Sequence, residues 1–169
     1  MEKRTINTTL AIIKNGDKIL LGEKKRGFCK GTLNSFGGKQ DKGETIEEAM
    51  VRETVEEVGI RPTEYKQVAF IKFDANYKGE RVFIDMYVYM VSKYTGKETE
   101  TEEMIPTWYN LNEIPYDRML KDDRLWLPKV LNGEYVVGRV DFGEDMDAMG
   151  KAEFKSIKSS ELPKCEIIM

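Results

Sequence analysis

Two apolar rhythms run along this chain, one of period two and one near 3.6. Thr5 to Lys14 and Lys18 to Glu23 are β-rich runs flanking Asn15-Gly16-Asp17. Asn and Gly tolerate the positive φ of a tight turn, so the chain is predicted to open with a β-hairpin. Further strand-like segments lie at Val68 to Phe73, Val82 to Val91, Thr107 to Leu111, Tyr135 to Phe142 and Ala152 to Ile157. The helical rhythm predicts a helix from Ile46 to Val58. Thr45 with Glu48 forms a capping box before it, and Gly59 offers a left-handed stop after it. A second helix fits Arg118 to Leu131, with Pro128 inside it to kink or shorten it. Between the hairpin and the first helix, glycines at 27, 31, 37, 38 and 43 alternate with Lys30, Lys39 and Lys42, which suits an ordered loop. With no repeat or interdomain linker, one domain over residues 1–158 is expected, followed by a tail over 159–169 of no readable role.

On the first helix, with Glu53 as zero and about 100° per residue, Glu56 falls near -60° and Glu57 near +40°, while Val51, Val55 and Val58 fall between about 140° and 200°. An acidic face thus opposes a greasy one. Three carboxylates at i, i+3 and i+4 repel one another unless a cation binds between them, and hard oxygen ligands favour magnesium or manganese. The alternative is a solvated acidic face, common on Glu-rich helices. The preceding segment favours the cation, since residues 14–42 hold eight Lys or Arg against three acids. A basic glycine loop abutting an acidic helix suits a polyphosphate bridged to protein through metal ions, with amides and lysines taking the other oxygens.

Composition narrows the chemistry further. The 169 residues, 40% hydrophobic and 34% charged, suffice for one stable core. A net charge of -3 argues against a nucleic-acid polymer as partner, leaving a small phosphorylated ligand. There is no histidine, which removes Ser-His-Asp and Cys-His nucleophile systems and His-based zinc sites together. Cys29 and Cys165 stand in no metal-ligand spacing and read as two thiols. The apolar run Leu10 to Ile13 is too short for a signal peptide and no segment reaches the length of a membrane span, so a cytoplasmic, monomeric protein is expected.

Gly38, Glu44, Arg52, Glu53, Thr54, Glu56, Glu57, Gly59 and Ile60 follow a known spacing: Gly, five residues, Glu, seven residues, Arg-Glu-aliphatic-any-Glu-Glu-any-Gly-aliphatic. The chain thereby resembles the Nudix hydrolases, with Thr54 in an aliphatic position as the one departure, expected to affect packing and not chemistry. The resemblance implies the Nudix fold, an α/β/α sandwich with a mixed central sheet, and attack of water on a phosphorus of a nucleotide pyrophosphate. It implies Glu53, Glu56 and Glu57 as ligands of Mg2+ (or Mn2+), Arg52 as their organiser and Glu44 as a brace of the loop.

Outside that motif the chain is similar to the MutT branch, which sanitises oxidised purine nucleoside triphosphates, in Lys24-Lys25-Arg26-Gly27-Phe28, in Asn34 ahead of Phe36-Gly37-Gly38-Lys39, in Glu103-Met104 and in Asp122-Asp123. That likeness implies a nucleotide pocket of Thr9, Lys24, Phe28, Asn34, Phe36, Gly37, Gly38, Lys39, Leu120, Asp122 and Asp123. It also implies Glu103 and the Gly37 carbonyl in the metal shell, and a nucleoside monophosphate and pyrophosphate as products. Leu33 and Leu120 stand where the branch carries tryptophans, and Lys121 replaces a proline. The residues alone leave other readings open: Asp122-Asp123 as a helix cap, Trp108 and Trp126 as core, Asn34 as a turn residue. Other Nudix substrates (ADP-ribose, a nucleotide sugar, an RNA 5′ end) and a non-catalytic nucleotide sensor stay as alternatives.

Overall fold

The computed structural model describes residues 3–27, 29–145 and 148–165. The opening hairpin is present as β1 (Thr5–Asn15) and β2 (Lys18–Lys24), paired from Ile13↔Leu20 to Asn15↔Lys18, with Gly16 at φ +61° supplying the left-handed turn residue. A two-residue strand, β3 (Leu33–Asn34), lies inside what reads as loop, and α1 (Ile46–Val58) follows with the predicted bounds. Then come β4 (Arg61–Tyr77), β5 (Glu80–Thr95), β6 (Met104–Asn110), α2 (Asp123–Leu131), β7 (Tyr135–Phe142) and β8 (Met149–Ile157).

β4 and β5 are far longer than their apolar patterns. Their ladder runs from Arg61↔Thr95 to Tyr77↔Glu80, closed by Lys78 and Gly79 at φ 52° and 84°. A turn with two left-handed residues matches the strand twist, so polar flanks stay paired beyond the buried stretch. The second helix starts at Asp123, not Arg118. Tyr116–Arg118 form a separate 3-10 turn, and the helix ends at Leu131, soon after Pro128, whose missing N–H interrupts the ladder.

All strands join one mixed sheet of order β3-β2-β1-β5-β4-β7-β8, with β6 paired to β2. β1 with β5 and β4 with β7 are parallel; the other pairs are antiparallel. Helices cover both faces. Ile12, Ile71, Val88 and Val136 pack with Trp126 and Leu127 of α2, while Ala11, Ile13, Leu20 and Tyr89 pack with Met50 and Val58 of α1. Two buried faces explain why Leu10 to Ile13 is a continuous apolar run and does not alternate. Beyond β8 a 3-10 turn (Ser159–Glu161) leads to the buried Leu162. Among the described residues no helix is long and apolar enough to cross a membrane.

Candidate active site

Helix α1 is fixed at both ends. The Thr45 side chain accepts from Glu48 N–H and the Glu48 carboxylate accepts from Thr45 N–H, while Gly59 closes the helix at φ 76°. Its buried side overlaps the Val51, Val55, Val58 face of the helical wheel only at Val58. Ile46, Ala49, Met50, Thr54 and Val58 face the sheet, and Glu57 is buried among them, with Val51 and Val55 half-buried at the flank. Thr54 is fully enclosed and donates its hydroxyl to the Met50 carbonyl at 2.7 Å, so the departure from an aliphatic residue is satisfied within the helix.

Arg52 organises the acids. Its Nε and Nη2 fork onto Glu44 at 3.1 and 2.7 Å, Nη1 reaches Glu53 at 3.0 Å and Glu56 at 3.4 Å, and Nη2 also donates to the Lys39 carbonyl at 3.1 Å. A planar guanidinium serves these directions at once, which an ammonium cannot. The hydrogen bonds from Arg52 hold the Glu44 carboxyl below the ordinary carboxylate range, against its partial burial. Glu53 moves the other way: burial raises it, and Glu56 and Glu103 add like charge.

Glu57 is 4% exposed, and its carboxyl is pushed up to about 8 by burial, with Glu53 and Glu103 adding to the effect; the Gly37 N–H and Lys24 oppose it. The Gly37 N–H donates to Glu57 Oε1 at 2.7 Å. On either side of it, Phe36 and Gly38 give their carbonyls to Ala11 and Thr9 of β1. The two glycines are required by close approach. A Cβ on Gly37 would come within 1.8 Å of the Thr9 carbonyl oxygen, and one on Gly38 within 2.5 Å of the Glu53 carboxyl carbon.

Glu103 arrives from the loop before β6. Thr101 donates its hydroxyl to the Glu57 carbonyl at 2.8 Å and accepts from Glu103 N–H at 3.2 Å, while Lys25 N–H holds the Glu103 carbonyl at 2.8 Å. Arg26 stands 3.6 Å from the Glu103 carboxylate. Among the described residues no three carboxylates are already drawn into one coordination sphere. Their donor chemistry nonetheless fits a hard divalent cation: carboxylate oxygens, and burial that opposes charge on two of the acids until a cation balances it.

Beside these acids opens a cavity of about 140 Å³ lined by Thr9, Lys24, Cys29, Asn34, Gly37 and Glu57 among others. A narrower one of about 50 Å³ continues inward to Asp122, Asp123, Met86 and Trp126. The two share Leu10, Asn34, Ser35 and Leu120. Two buried oxygens, Thr9 Oγ1 and Asp122 Oδ1, have no hydrogen-bond partner among the described residues, which is unusual unless a ligand supplies one.

Asp122 does not cap α2. Its Oδ2 instead accepts from Trp126 Nε1 at 2.9 Å, and Trp126 is core. Burial raises Asp122 to about 6 and Asp123 well above its ordinary value, the latter also by the charge of Asp122.

Most of the expected pocket residues meet here, with three exceptions. Phe36 is a fully buried core side chain behind the loop and lines neither cavity. Lys39 is exposed and contributes its carbonyl to Arg52. Phe28 lies outside the described residues. Leu10, Ser35, Met86, Met119 and Cys29 line the cavities without having been expected. Only Cys29 carried a local signal, as a side chain in a glycine loop, where it takes φ 62°.

The sequence pattern of the family described as NUDIX domain matches residues 4–130. An oxidized purine nucleoside triphosphate hydrolase of Danio rerio is 38% identical over 139 residues, 82% of this chain and 88% of the relative. Its namesake from Mus musculus is 34% identical over 151 residues, 89% and 95% of the two chains. The crystal structure of a MutT protein from Bacillus halodurans superposes with a TM-score of 0.76 over 88% of this chain and 97% of its own, at 21% identity, a likeness of fold alone.

Proposed function

The chain belongs to the Nudix family of hydrolases, and on that premise we propose that it hydrolyses oxidised purine nucleoside triphosphates to the nucleoside monophosphate and pyrophosphate, with Mg2+ as its preferred ion. The observation that carries this reading is a pair of adjoining cavities that share Leu10, Asn34, Ser35 and Leu120, the outer one lined by Glu57 and Lys24 and the inner one by two acids raised by burial. Triphosphate and base are recognised by different chemistry, and each of the two cavities is polar in the matching way.

Glu53, Glu56, Glu57, Glu103 and the Gly37 carbonyl are the residues that would hold the metal. When bound, such ions neutralise phosphate charge, polarise the attacked phosphorus and lower the pKa of water. The protein supplies the rest. Arg52 holds Glu53 and Glu56 against Glu44, so these carboxylates do not have to be ordered during the reaction. Lys24, which lines the same cavity as Glu57, carries a positive charge for a phosphate oxygen.

The water oxygen forms a bond to a phosphorus beside the α–β bridge. The bridging P–O bond on that phosphorus breaks, the other part of the substrate departs (pyrophosphate from an attacked α-phosphorus, the nucleoside monophosphate from an attacked β-phosphorus), and the water proton passes to a cluster carboxylate. At the inner end, one of Asp122 and Asp123 stays protonated, so the pair offers both a donor and an acceptor to a purine edge. Asn34 holds its side chain on Thr32 at 2.8 Å, at the junction of the two ends. Leu10, Met86 and Leu120 give the base an aliphatic and thioether wall.

The test is a panel of 8-oxo-dGTP, 2-oxo-dATP, dGTP, ADP-ribose, a nucleotide sugar and capped RNA, with products separated and identified. Preference for the two oxidised triphosphates is expected. Greater kcat/KM for ADP-ribose or a nucleotide sugar would move the chain to another Nudix specificity, and binding without turnover would make it a sensor.

A further inference from the structure

Gln40 occupies a position at which the family spacing accepts any residue, yet it is 4% exposed and bonded on every side. Its backbone N–H donates to the Asn7 carbonyl of β1 at 2.9 Å. Its Nε2 donates to the Glu44 carbonyl at 2.9 Å, and its Oε1 accepts from Asn7 Nδ2 at 3.3 Å and from Cys165 Sγ at 3.6 Å. One amide thus ties together β1, the turn into α1 and the C-terminal segment.

The residue it grips by the backbone is the one whose carboxylate sets Arg52. Glu44 takes the Arg52 fork and also accepts from Asp41 N–H at 2.8 Å, and Arg52 in turn holds Glu53 and Glu56. The path from Gln40 to two of the cluster carboxylates is therefore continuous, with each link an observed hydrogen bond.

Cys165 is delivered to Gln40 by a packed strap. From the end of β8 the chain buries Leu162, gives the Pro163 carbonyl to Gln67 Nε2 at 2.8 Å and returns Lys164 Nζ to Gln67 Oε1 at 2.8 Å. Gln67 is itself 8% exposed, and Cys165 packs against the core on the α1 side of the sheet. Two buried glutamines thus anchor the last residues of the segment, and Gln40 connects it to the loop before α1.

We propose that Gln40 is a positioning residue for the carboxylate cluster and that residues 158–165 are the strap that holds it in register. The proposal rests on the reading of Glu53, Glu56 and Glu57 as metal ligands. Outer partners of ligands commonly change metal affinity or activity by 10- to 100-fold, and Gln40, one link further out, is expected near the lower figure.

The test measures Mn2+ affinity by electron paramagnetic resonance on the full chain without nucleotide, together with kcat, KM and the thermal midpoint. Gln40→Met keeps the volume and removes the amide. It should bind Mn2+ about tenfold more weakly, with KM at saturating metal within about twofold of wild type. Cys165→Ala should shift Mn2+ affinity in the same direction by less, and Cys165→Ser, which keeps a donor, should restore it. A lowered midpoint with unchanged Mn2+ affinity in Gln40→Met would make Gln40 a structural residue only and overturn the proposal. If Gln40→Met does not fold, Cys165→Ala decides by the same readout, and unchanged affinity there overturns it. Glu57→Gln, run alongside, separates the two levels. Wild-type Mn2+ binding in that variant would sink the metal-site reading itself, whereas weakened binding there with Gln40→Met unaffected would sink the strap alone.

Discussion

In the proposed site Glu57 would serve the metal from the side of α1 that packs and not from the side that meets water. The helical wheel placed it in the right cluster but on the wrong surface. Angles about a helix axis fix which side chains are neighbours, while the sheet decides which arc is buried. Glu57→Gln should fold as well as wild type, since an amide oxygen still accepts from Gly37 N–H and no buried charge is required. It should lose at least about a hundredfold in kcat, a little under 3 kcal/mol of the several that metal ions supply. Wild-type turnover at saturating magnesium would contradict this.

The acid pair tests the inner end. Raised above its ordinary value to about 6, Asp122 contributes stability that is present below about pH 4 and lost as pH rises to about 6. Asp123, raised further, extends the loss upward. Asp122→Asn keeps an acceptor for Trp126 and cannot ionise, so its stability relative to wild type should grow by about 2 kcal/mol between pH 4 and pH 7. Parallel stability curves in urea across that range would contradict it. Each Asn variant should also change the ratio of kcat/KM among 8-oxo-dGTP, 2-oxo-dATP and dGTP, and a common factor on all three would make the pair scaffold. The pair was legible in the chain as an acidic feature beside α2; that Asp122 gives that helix no side-chain cap was not, because the N–H of Trp126 reaches Asp122 only after the turn has formed.

At the scale of elements, the catalytic loop and α1 behave as one piece, with the capping box starting the helix and two glycines bringing the loop against β1 on one side and α1 on the other. The glycines should separate in their effects. Gly37→Ala drives a Cβ into the Thr9 backbone and should lower stability by about 2 kcal/mol or more, like other overpacked sites. Gly38→Ala meets the far end of the Glu53 side chain, which can turn away, so it should spare the thermal midpoint and weaken Mn2+ binding instead. Equal loss of stability in both would show that the loop is only scaffold. Helix α1 was legible to the residue because both of its caps are local. Strands β4 and β5 were legible only in their buried centres, since their polar ends are held by pairing across the hairpin. Helix α2 was overestimated because Tyr116–Arg118 form a turn of their own before it.

For the whole molecule, the parallel pairings of β1 with β5 and β4 with β7 bring distant segments into one mixed sheet, and residues from the loop after β2, the loop before α1, the start of β6 and the loop before α2 line the two adjoining cavities. The strand and helix content was readable from periodicity. The strand order was not, because long crossovers leave no local mark on the sequence, and neither was the strap, whose anchoring bonds from Pro163 and Lys164 go to the distant Gln67. The outer cavity keeps Lys24 in its wall although the molecule is net acidic, so a triphosphate meets local positive charge beside carboxylates that need a cation. The most direct test of the account is the product analysis of 8-oxo-dGTP turned over by the purified protein with magnesium, before and after exhaustive chelation. The account predicts equimolar 8-oxo-dGMP and pyrophosphate, a kcat/KM above that for dGTP, and no turnover once the metal is removed. Release of inorganic phosphate in place of pyrophosphate, or undiminished turnover after chelation, would contradict it.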